Sequence, residues 1–157
     1  MQYWLMKSEP ETFGIDHLQA APQQTHCWDG VRNYQARNYM RDSMQLGDQA
    51  FFYHSNCKIP GIIGITEIVS ASYPDYTAFD PDSKYYDAKS NLDHPTWFMR
   101  DVKLVKKFKH IISISELRAN QHLNEMIILR KGNRLSITPV TADEWLAITN
   151  MVLQSRS

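Results

Sequence analysis

Two neighbouring apolar runs constrain the fold of this chain most strongly. Residues 49–54 and 61–70 are rich in aromatic and β-branched side chains, and a short polar loop at 55–60 separates them. Runs of this kind, bounded by turn residues, are typical of two hairpin-connected strands. Elsewhere, strand-like and helix-like segments alternate without the regular repeat of a doubly wound sheet. The sequence therefore predicts the α+β class with a barrel-like sheet.

The remaining elements follow from periodicity and capping. Further strands are predicted at 3–7, 97–108 and 134–139, and helices at 15–20, 33–44, about 114–119 and 142–152. Two capping boxes, Ser113-x-x-Glu116 and Thr141-x-x-Glu144, mark the starts of the last two helices. Residues 73–96 form the least regular stretch. A connection of that length inside one domain is more often functional than idle.

Composition narrows the classes of function. The 157 residues fit one domain, 1–157, and 17 basic side chains balance 17 acidic ones. A neutral chain is not a bulk electrostatic nucleic-acid binder, so we expect weak affinity for long unmodified nucleic acid and little salt dependence. Cys27 and Cys57 form no Cys-x-x-Cys pair, and no signal peptide or membrane span is indicated. These features predict reduced thiols and a cytoplasmic location.

Signals for catalysis are weak. His26, Cys27 and Asp29 could be written as a catalytic set, but neighbours on an extended chain point in opposite directions, so we expect His26 and Cys27 not to pair. His54 could serve as a partner from elsewhere in the chain. The six His and two Cys are scattered without metal-ligand spacing, and no phosphate-binding glycine loop is present. We expect no metal and no cofactor.

Aromatic side chains beside polar groups are the stronger signal. Trp145 fits the apolar stripe of a helix and Trp4 lies in a strand, so both are expected in the core. Trp28 and Trp97 lie at the ends of elements, where an indole can stack on a ligand. Arg32 lies beside Trp28, and its guanidinium could hold a phosphate.

Several segments in the same order resemble the EVE domain. They are residues 3–10 (YWLMKSEP), 28–38 (WDGVRNYQARN), 52–55 (FYHS), 61–64 (GIIG), 79–81 (FDP), 97–102 (with its Trp, Asp and Val) and 134–140 (RLSITPV). The resemblance covers nearly the whole chain. It is similar to a stand-alone EVE protein of the thymocyte nuclear protein family.

The resemblance implies a PUA-like fold, a curved mixed β-barrel flanked by short helices. It also implies kinship with the YTH domain, which holds a methylated adenine in an aromatic cage, and the binding of a modified base in DNA or RNA. By this resemblance and by their chemistry, the candidate base-binding residues are Lys7, Ser8, Trp28, Asn33, Ser55, Asn56 and Trp97. The candidate phosphate-binding residues are Arg32, Arg37 and Lys58.

The leading hypothesis is thus a nucleic-acid-binding module that reads a modified nucleobase and catalyses no reaction. A second hypothesis is a metal-dependent nucleotide or nucleic-acid hydrolase that uses Asp29, His54 or Cys27. In that case the aspartates of the long loop would hold Mg²⁺; they are Asp75, Asp80, Asp82 and Asp87. A third hypothesis is a protein-interaction module that uses the aromatic loop at 73–98.

Overall fold

A mixed six-stranded sheet forms the centre of the molecule. The computed structural model describes residues 1–154. Its strands are β1 (Tyr3–Ser8), β2 (Thr25–Cys27), β3 (Gln49–His54), β4 (Gly61–Ile68), β5 (Tyr73–Pro74), β6 (Phe98–Met99), β7 (Asp101–Ser113) and β8 (Ile137–Val140). The order in the large sheet is β2-β7-β4-β3-β1-β8, and β5 pairs with β6 in a separate two-stranded sheet.

Strand pairing confirms the predicted hairpin and the α+β class. β3 and β4 are antiparallel, and a register shift lies between Phe52 and Tyr53. β1 is parallel to β3 and antiparallel to β8. The parallel pair brings the carboxyl ends of β1 and β3 to the same edge, with Ser8 opposite His54.

Short helices surround the sheet. They are α1 (Pro10–Phe13), α2 (Ile15–Ala20), α3 (Tyr34–Asn38), α4 (Ile114–Ala119) and α5 (Ala142–Gln154), with single 3₁₀ turns at Pro22–Gln24, Tyr76–Phe79, Gln121–Leu123 and Ile127–Leu129. Both predicted capping boxes form, at Ser113 and at Thr141. Within residues 1–154, no helix is long and apolar enough to cross a membrane.

Each face of the sheet carries its own hydrophobic cluster, because side chains alternate along a strand. Met6 and Phe52 lie in what we call the front cluster, which α2 and α3 cover. Leu5 and Phe51 lie in the back cluster, which α4 and α5 cover. The Trp145 ring stacks on Phe51 with centroids 3.9 Å apart, so its predicted core role is confirmed.

The helix predicted over 33–44 is shorter than expected. α3 ends at Asn38, and a π-helical turn continues at Tyr39–Ser43. The guanidinium of Arg100 donates to the carbonyls of Met40 and Met44 at 2.5 and 2.7 Å. These bonds satisfy the last carbonyls from outside the helix, which removes the need for a regular α-helical end. The predicted apolar stripe, which includes Met40 and Met44, is buried in the front cluster.

The strand predicted at 97–108 is divided at the same arginine. β6 ends at Met99, and β7 runs on from Asp101 to Ser113. Arg100 is buried and also donates to the Ser70 carbonyl at 3.0 Å. The edge strand β2 was not predicted, because three residues carry too little periodicity to be recognised.

Candidate functional site

A cavity of about 510 Å³ opens where β1 and β3 end. Its lining residues are Lys7, Ser8, Glu9, Thr12, Phe13, Trp28, Asp29, Gly30, Val31, Ser55, Lys84, Tyr85, Arg134 and Ser136. The backbone N–H of Ser55 donates to the Ser8 carbonyl at 3.0 Å, which joins the two strand ends. A volume of this size lies in the range of small-molecule sites.

Trp28 is a fixed wall of this cavity. Its backbone N–H donates to the Arg100 carbonyl at 2.8 Å. Its ring meets Phe13 and Phe52 edge to face, with centroid distances of 5.7 and 5.1 Å. These contacts leave 4% of Trp28 exposed, so the indole is held rigidly before any ligand arrives.

The mouth of the cavity is polar and carries both signs of charge. Its lining includes the cations Lys7, Lys84 and Arg134 and the acids Glu9 and Asp29. The Lys84 Nζ donates to Thr12 Oγ1 at 3.2 Å and lies 5.1 Å from the centre of the Tyr85 ring. Burial lowers the pKa of Lys7. The cations at the mouth form a local patch on a chain that is neutral overall.

Asp29 places a carboxylate directly beside Trp28. Burial raises the pKa of this carboxyl, and the nearby Asp75 raises it further. An ionised carboxylate only accepts hydrogen bonds, so Asp29 suits a ligand edge that donates. Sequence reasoning gave Asp29 to the hydrolase hypothesis and did not include it among the base-binding residues.

Arg32 anchors the long loop to the Trp28 segment. Its Nη1 pairs with Asp75 Oδ2 at 3.0 Å, its Nη2 donates to Thr77 Oγ1 at 3.1 Å, and both Nε and Nη2 donate to the Tyr85 carbonyl. Asp75 is fully buried. We call these four residues the Arg32 clasp. The sequence predicts that Arg32 binds phosphate, but its guanidinium donates these hydrogen bonds within the protein.

Gly30 allows the clasp to bring Tyr85 to the cavity. The Gly30 N–H donates to Asp75 Oδ2 at 2.8 Å. Its φ is +78°, and a Cβ at this position would lie 2.5 Å from Tyr85 Cζ. Only glycine adopts this backbone and leaves room for the ring. The clasp and Gly30 together position an aromatic wall that the sequence analysis did not predict.

Trp97 does not line the cavity. It is buried, its indole N–H donates to Asp87 Oδ2 at 2.7 Å, and its ring stacks on Tyr34 with centroids 5.0 Å apart. Arg37 donates to the Thr96 carbonyl at 3.0 Å and lies over the same Tyr34 ring. Trp97 and Arg37 therefore hold the end of the long loop against α3.

Three other predicted residues also lie outside the cavity. Asn33 is the N-cap of α3, where its Oδ1 accepts from the Ala36 N–H at 3.0 Å. Asn56 and Lys58 are exposed in the loop after β3. Of the ten predicted site residues, the structure gathers four at the cavity: Lys7, Ser8, Trp28 and Ser55. Binding by the other six stays a prediction.

Sequence reasoning missed Phe13, Tyr85 and Arg134 as cavity residues. Arg134 belongs to the 134–140 segment on which the family resemblance partly rests, so that segment was the available signal. Phe13 and Tyr85 carried no signal, because α1 and the long loop reach the cavity through tertiary contacts alone.

The sulfur of Cys27 contacts a neighbouring imidazole, but burial disfavours its thiolate form. Cys27 Sγ lies 3.7 Å from His26 Nδ1. The expectation that these two neighbouring side chains do not pair is therefore wrong. The imidazole turns back to contact the Cys27 carbonyl, at 2.8 Å, and this brings it near the sulfur. Burial, and to a smaller extent the nearby charge of Asp29, raises the pKa of the thiol to about 11. A protonated thiol is a weak nucleophile.

Two of the four loop aspartates bind partners within the protein. Asp75 lies in the Arg32 clasp, and Asp87 accepts from Trp97 and from the Lys89 N–H. Among the described residues, no group of three or more His, Cys, Asp or Glu is placed to hold a metal ion.

Comparison with known proteins gives the family. The family model described as EVE domain matches residues 2–151. The chain belongs to the EVE domain family. Human thymocyte nuclear protein 1 is 46% identical over an alignment of 159 positions, and the alignment covers 91% of this chain and 70% of the human protein. The zebrafish (Danio rerio) protein of the same name is 48% identical, with coverages of 90% and 68%.

Solved structures of relatives share the fold. A Pseudomonas syringae protein matches with a TM-score of 0.91 and 48% identity, covering 96% of this chain and 99% of that one. Human THYN1 protein, solved in complex with 5-methylcytosine-containing DNA, matches with a TM-score of 0.91 and 44% identity, covering 97% and 98%. These structures establish the PUA-like EVE fold of this chain.

A more distant likeness concerns the fold alone. The Mmi1 YTH domain matches with a TM-score of 0.56 and 14% identity, covering 98% of this chain and 89% of that domain. The structural kinship with YTH domains that the resemblance implied is thus confirmed at the level of the fold.

Proposed function

We propose that this EVE domain binds DNA that carries a modified cytosine, and that it takes the modified base into the cavity beside Trp28. The observation that carries the proposal is the cavity itself, which combines a rigid indole wall, hydroxyl groups and a mouth with cations. The complex of a 44%-identical relative with 5-methylcytosine-containing DNA supports the choice of DNA and of cytosine.

An extruded base finds matching chemistry on each side. Its flat face stacks on Trp28 or Tyr85, as unstacked bases do on aromatic side chains. A 5-methyl group would be buried against apolar neighbours such as Phe13 and Val31. Extrusion costs a few kcal/mol of lost stacking and pairing. Stacking and edge hydrogen bonds inside the cavity offset that cost.

Asp29 supplies the selectivity that a methyl pocket alone lacks. Thymine carries the same 5-methyl group, so apolar contacts cannot separate it from 5-methylcytosine. The two bases differ at position 4, where cytosine offers an amino donor and thymine an oxygen acceptor. A carboxylate accepts from the amine and repels the oxygen. We therefore assign Asp29 the role of reading the amino edge.

The cations at the mouth of the cavity bind the phosphates that flank the modified base. Lys7, Lys84 and Arg134 line the opening, whereas Arg32 and Arg37 donate within the protein. A few phosphate contacts predict a shallow salt dependence. Binding without catalysis is part of the proposal, which the protonated Cys27 thiol supports.

Calorimetric titration with short DNA tests this function. We expect a single 5-methylcytosine to lower Kd against the same oligonucleotide with cytosine or thymine. The variant Ser136→Tyr fills the cavity from a partly exposed position and should abolish that preference. Ser115→Tyr, exposed on α4 behind the sheet, is the matched control and should retain it.

Two results would overturn the proposal. One is equal Kd for modified and unmodified DNA in the wild type. The other is a preference that survives in a folded Ser136→Tyr variant. The corresponding RNA with 5-methylcytidine is titrated in parallel, and a stronger preference there would replace DNA by RNA in the proposal.

A further inference from the structure

A second cavity of about 490 Å³ adjoins the first. Four residues line both cavities: Thr12, Phe13, Asp29 and Tyr85. The second cavity is completed by α2 and the turn that follows it, through His17, Ala20, Ala21 and Pro22, and by His26 of β2. The two cavities are therefore compartments of one groove, divided by shared aromatic walls.

Phe13 is the partition between the two compartments. On one side its ring meets Trp28 edge to face. On the other side it lies near the imidazole of His26, with centroids 4.9 Å apart and planes inclined by 32°, and near that of His17, at 6.3 Å and 23°. Flat rings thus border the second cavity as they border the first, which suits another planar occupant.

The charges of the two compartments differ. Three cations line the first cavity, but among the described residues no Lys or Arg lines the second. A phosphate has little to hold it there. An uncharged aromatic group fits better, because small apolar side chains and two imidazoles surround it.

We propose that the second cavity binds the base of the nucleotide adjacent to the modified one, so that the groove holds two splayed bases on either side of Phe13. This inference rests on the proposed function of the first cavity. The occupant follows from continuity, since a strand whose modified base fills the first compartment must carry its next nucleotide past the shared wall. The cations at the first mouth then meet the phosphate that joins the two nucleotides.

Dinucleotides separate this second site from the first. Titrations compare 5-methylcytosine joined to thymidine, in both orders, with the same molecules in which the neighbour is abasic. Both members keep the sugar and the phosphate, so their difference in Kd reports the neighbouring base alone. A base stacked on an aromatic wall predicts that the molecule with the base binds about 5- to 150-fold more tightly in at least one order.

A matched pair of variants locates the effect. Ala20 ends α2, is exposed and lines only the second cavity, so Ala20→Trp should abolish the gain and leave the Kd of the abasic dinucleotide unchanged. Ala119 is exposed at the end of α4, which is as long as α2, and Ala119→Trp should keep the gain.

Each remaining outcome overturns the inference. Equal Kd for the base-containing and abasic dinucleotides would leave the second cavity to an occupant other than DNA. A gain that persists in Ala20→Trp would place the neighbouring base elsewhere. If no dinucleotide binds, including those with 5-methylcytosine, the proposed function fails together with the second site, which distinguishes that result from the first two.

Discussion

From the sequence, Trp28 and Trp97 are equal candidates for a wall of the binding site, and the structure gives them different roles. Trp28 is fixed by Phe13 and Phe52 and forms a cavity wall. Trp97 is buried to a similar extent, but its indole N–H donates to Asp87 and its ring stacks on Tyr34. These contacts hold the long loop in place. A tryptophan at the end of an element becomes a ligand wall only where the surrounding chain leaves space beside it.

The Arg32 clasp connects these two regions, and breaking it should have the largest effect. Asp75→Ala leaves Arg32 without its buried carboxylate partner and removes the acceptor for the Gly30 N–H. Loss of one partner of a buried pair predicts a fall of about 3–5 kcal/mol in the free energy of unfolding. Urea denaturation measures it. Asp82→Ala, at an exposed position of the same loop, should change stability by less than about 0.5 kcal/mol.

Gly30→Ala sharpens the comparison on the Trp28 side. A Cβ would meet the Tyr85 ring at 2.5 Å, in a backbone with φ of +78°. We expect about 1–3 kcal/mol of destabilisation from overpacking, in addition to the strained backbone, and weaker binding of 5-methylcytosine DNA. Gly132→Ala shares a φ of +80° but meets nothing within 4 Å, so it isolates the backbone cost. Equal losses in the two variants would show that Tyr85 is not held against Gly30.

Asp29→Asn tests how the cavity reads the base. An amide can present either its oxygen or its nitrogen. It can therefore donate to the oxygen at position 4 of thymine, or accept from the amino group of 5-methylcytosine, so the two bases should bind nearly equally well. We expect the ratio of the two Kd values to fall by about 5- to 150-fold, since good edge contacts are worth ~1–3 kcal/mol of discrimination. An unchanged ratio would remove Asp29 from base recognition.

Lys84→Ala should have the smallest effect of the series. Lys84 lines the cavity mouth, whereas Lys58 is exposed in the loop after β3. Loss of one phosphate contact predicts that the slope of log K against log salt becomes shallower by about 1. Lys58→Ala should leave the slope unchanged. The opposite result would restore the phosphate role that the sequence analysis gave to Lys58.

Most of the fold followed from local signals. The β3–β4 hairpin and the two capping boxes depend on residues close together in the chain, which is why their positions were predicted well. The π turn at Tyr39–Ser43 was not predicted, because it depends on Arg100, some sixty residues away.

The site was less predictable, because several of its residues are brought together by contacts between distant parts of the chain. Lys7, Ser8, Trp28 and Ser55 come together because β1 and β3 end side by side. Phe13 and Tyr85 complete the cavity from α1 and from the long loop, and the contacts that place Tyr85 cross more than fifty residues. Arg32 illustrates the limit, since its charge suggested phosphate but its partners Asp75 and Tyr85 could not be read from its own neighbourhood.

The most direct test follows the indole N–H signals of the four tryptophans by NMR during titration with a 5-methylcytosine dinucleotide. Each signal is assigned from its loss in the corresponding Trp→Phe variant. We expect a large, saturable shift of the Trp28 signal, while those of Trp4, Trp97 and Trp145 stay close to their starting positions. A shift at Trp97 with Trp28 unmoved, or four unmoved signals at saturating dinucleotide, would contradict this expectation.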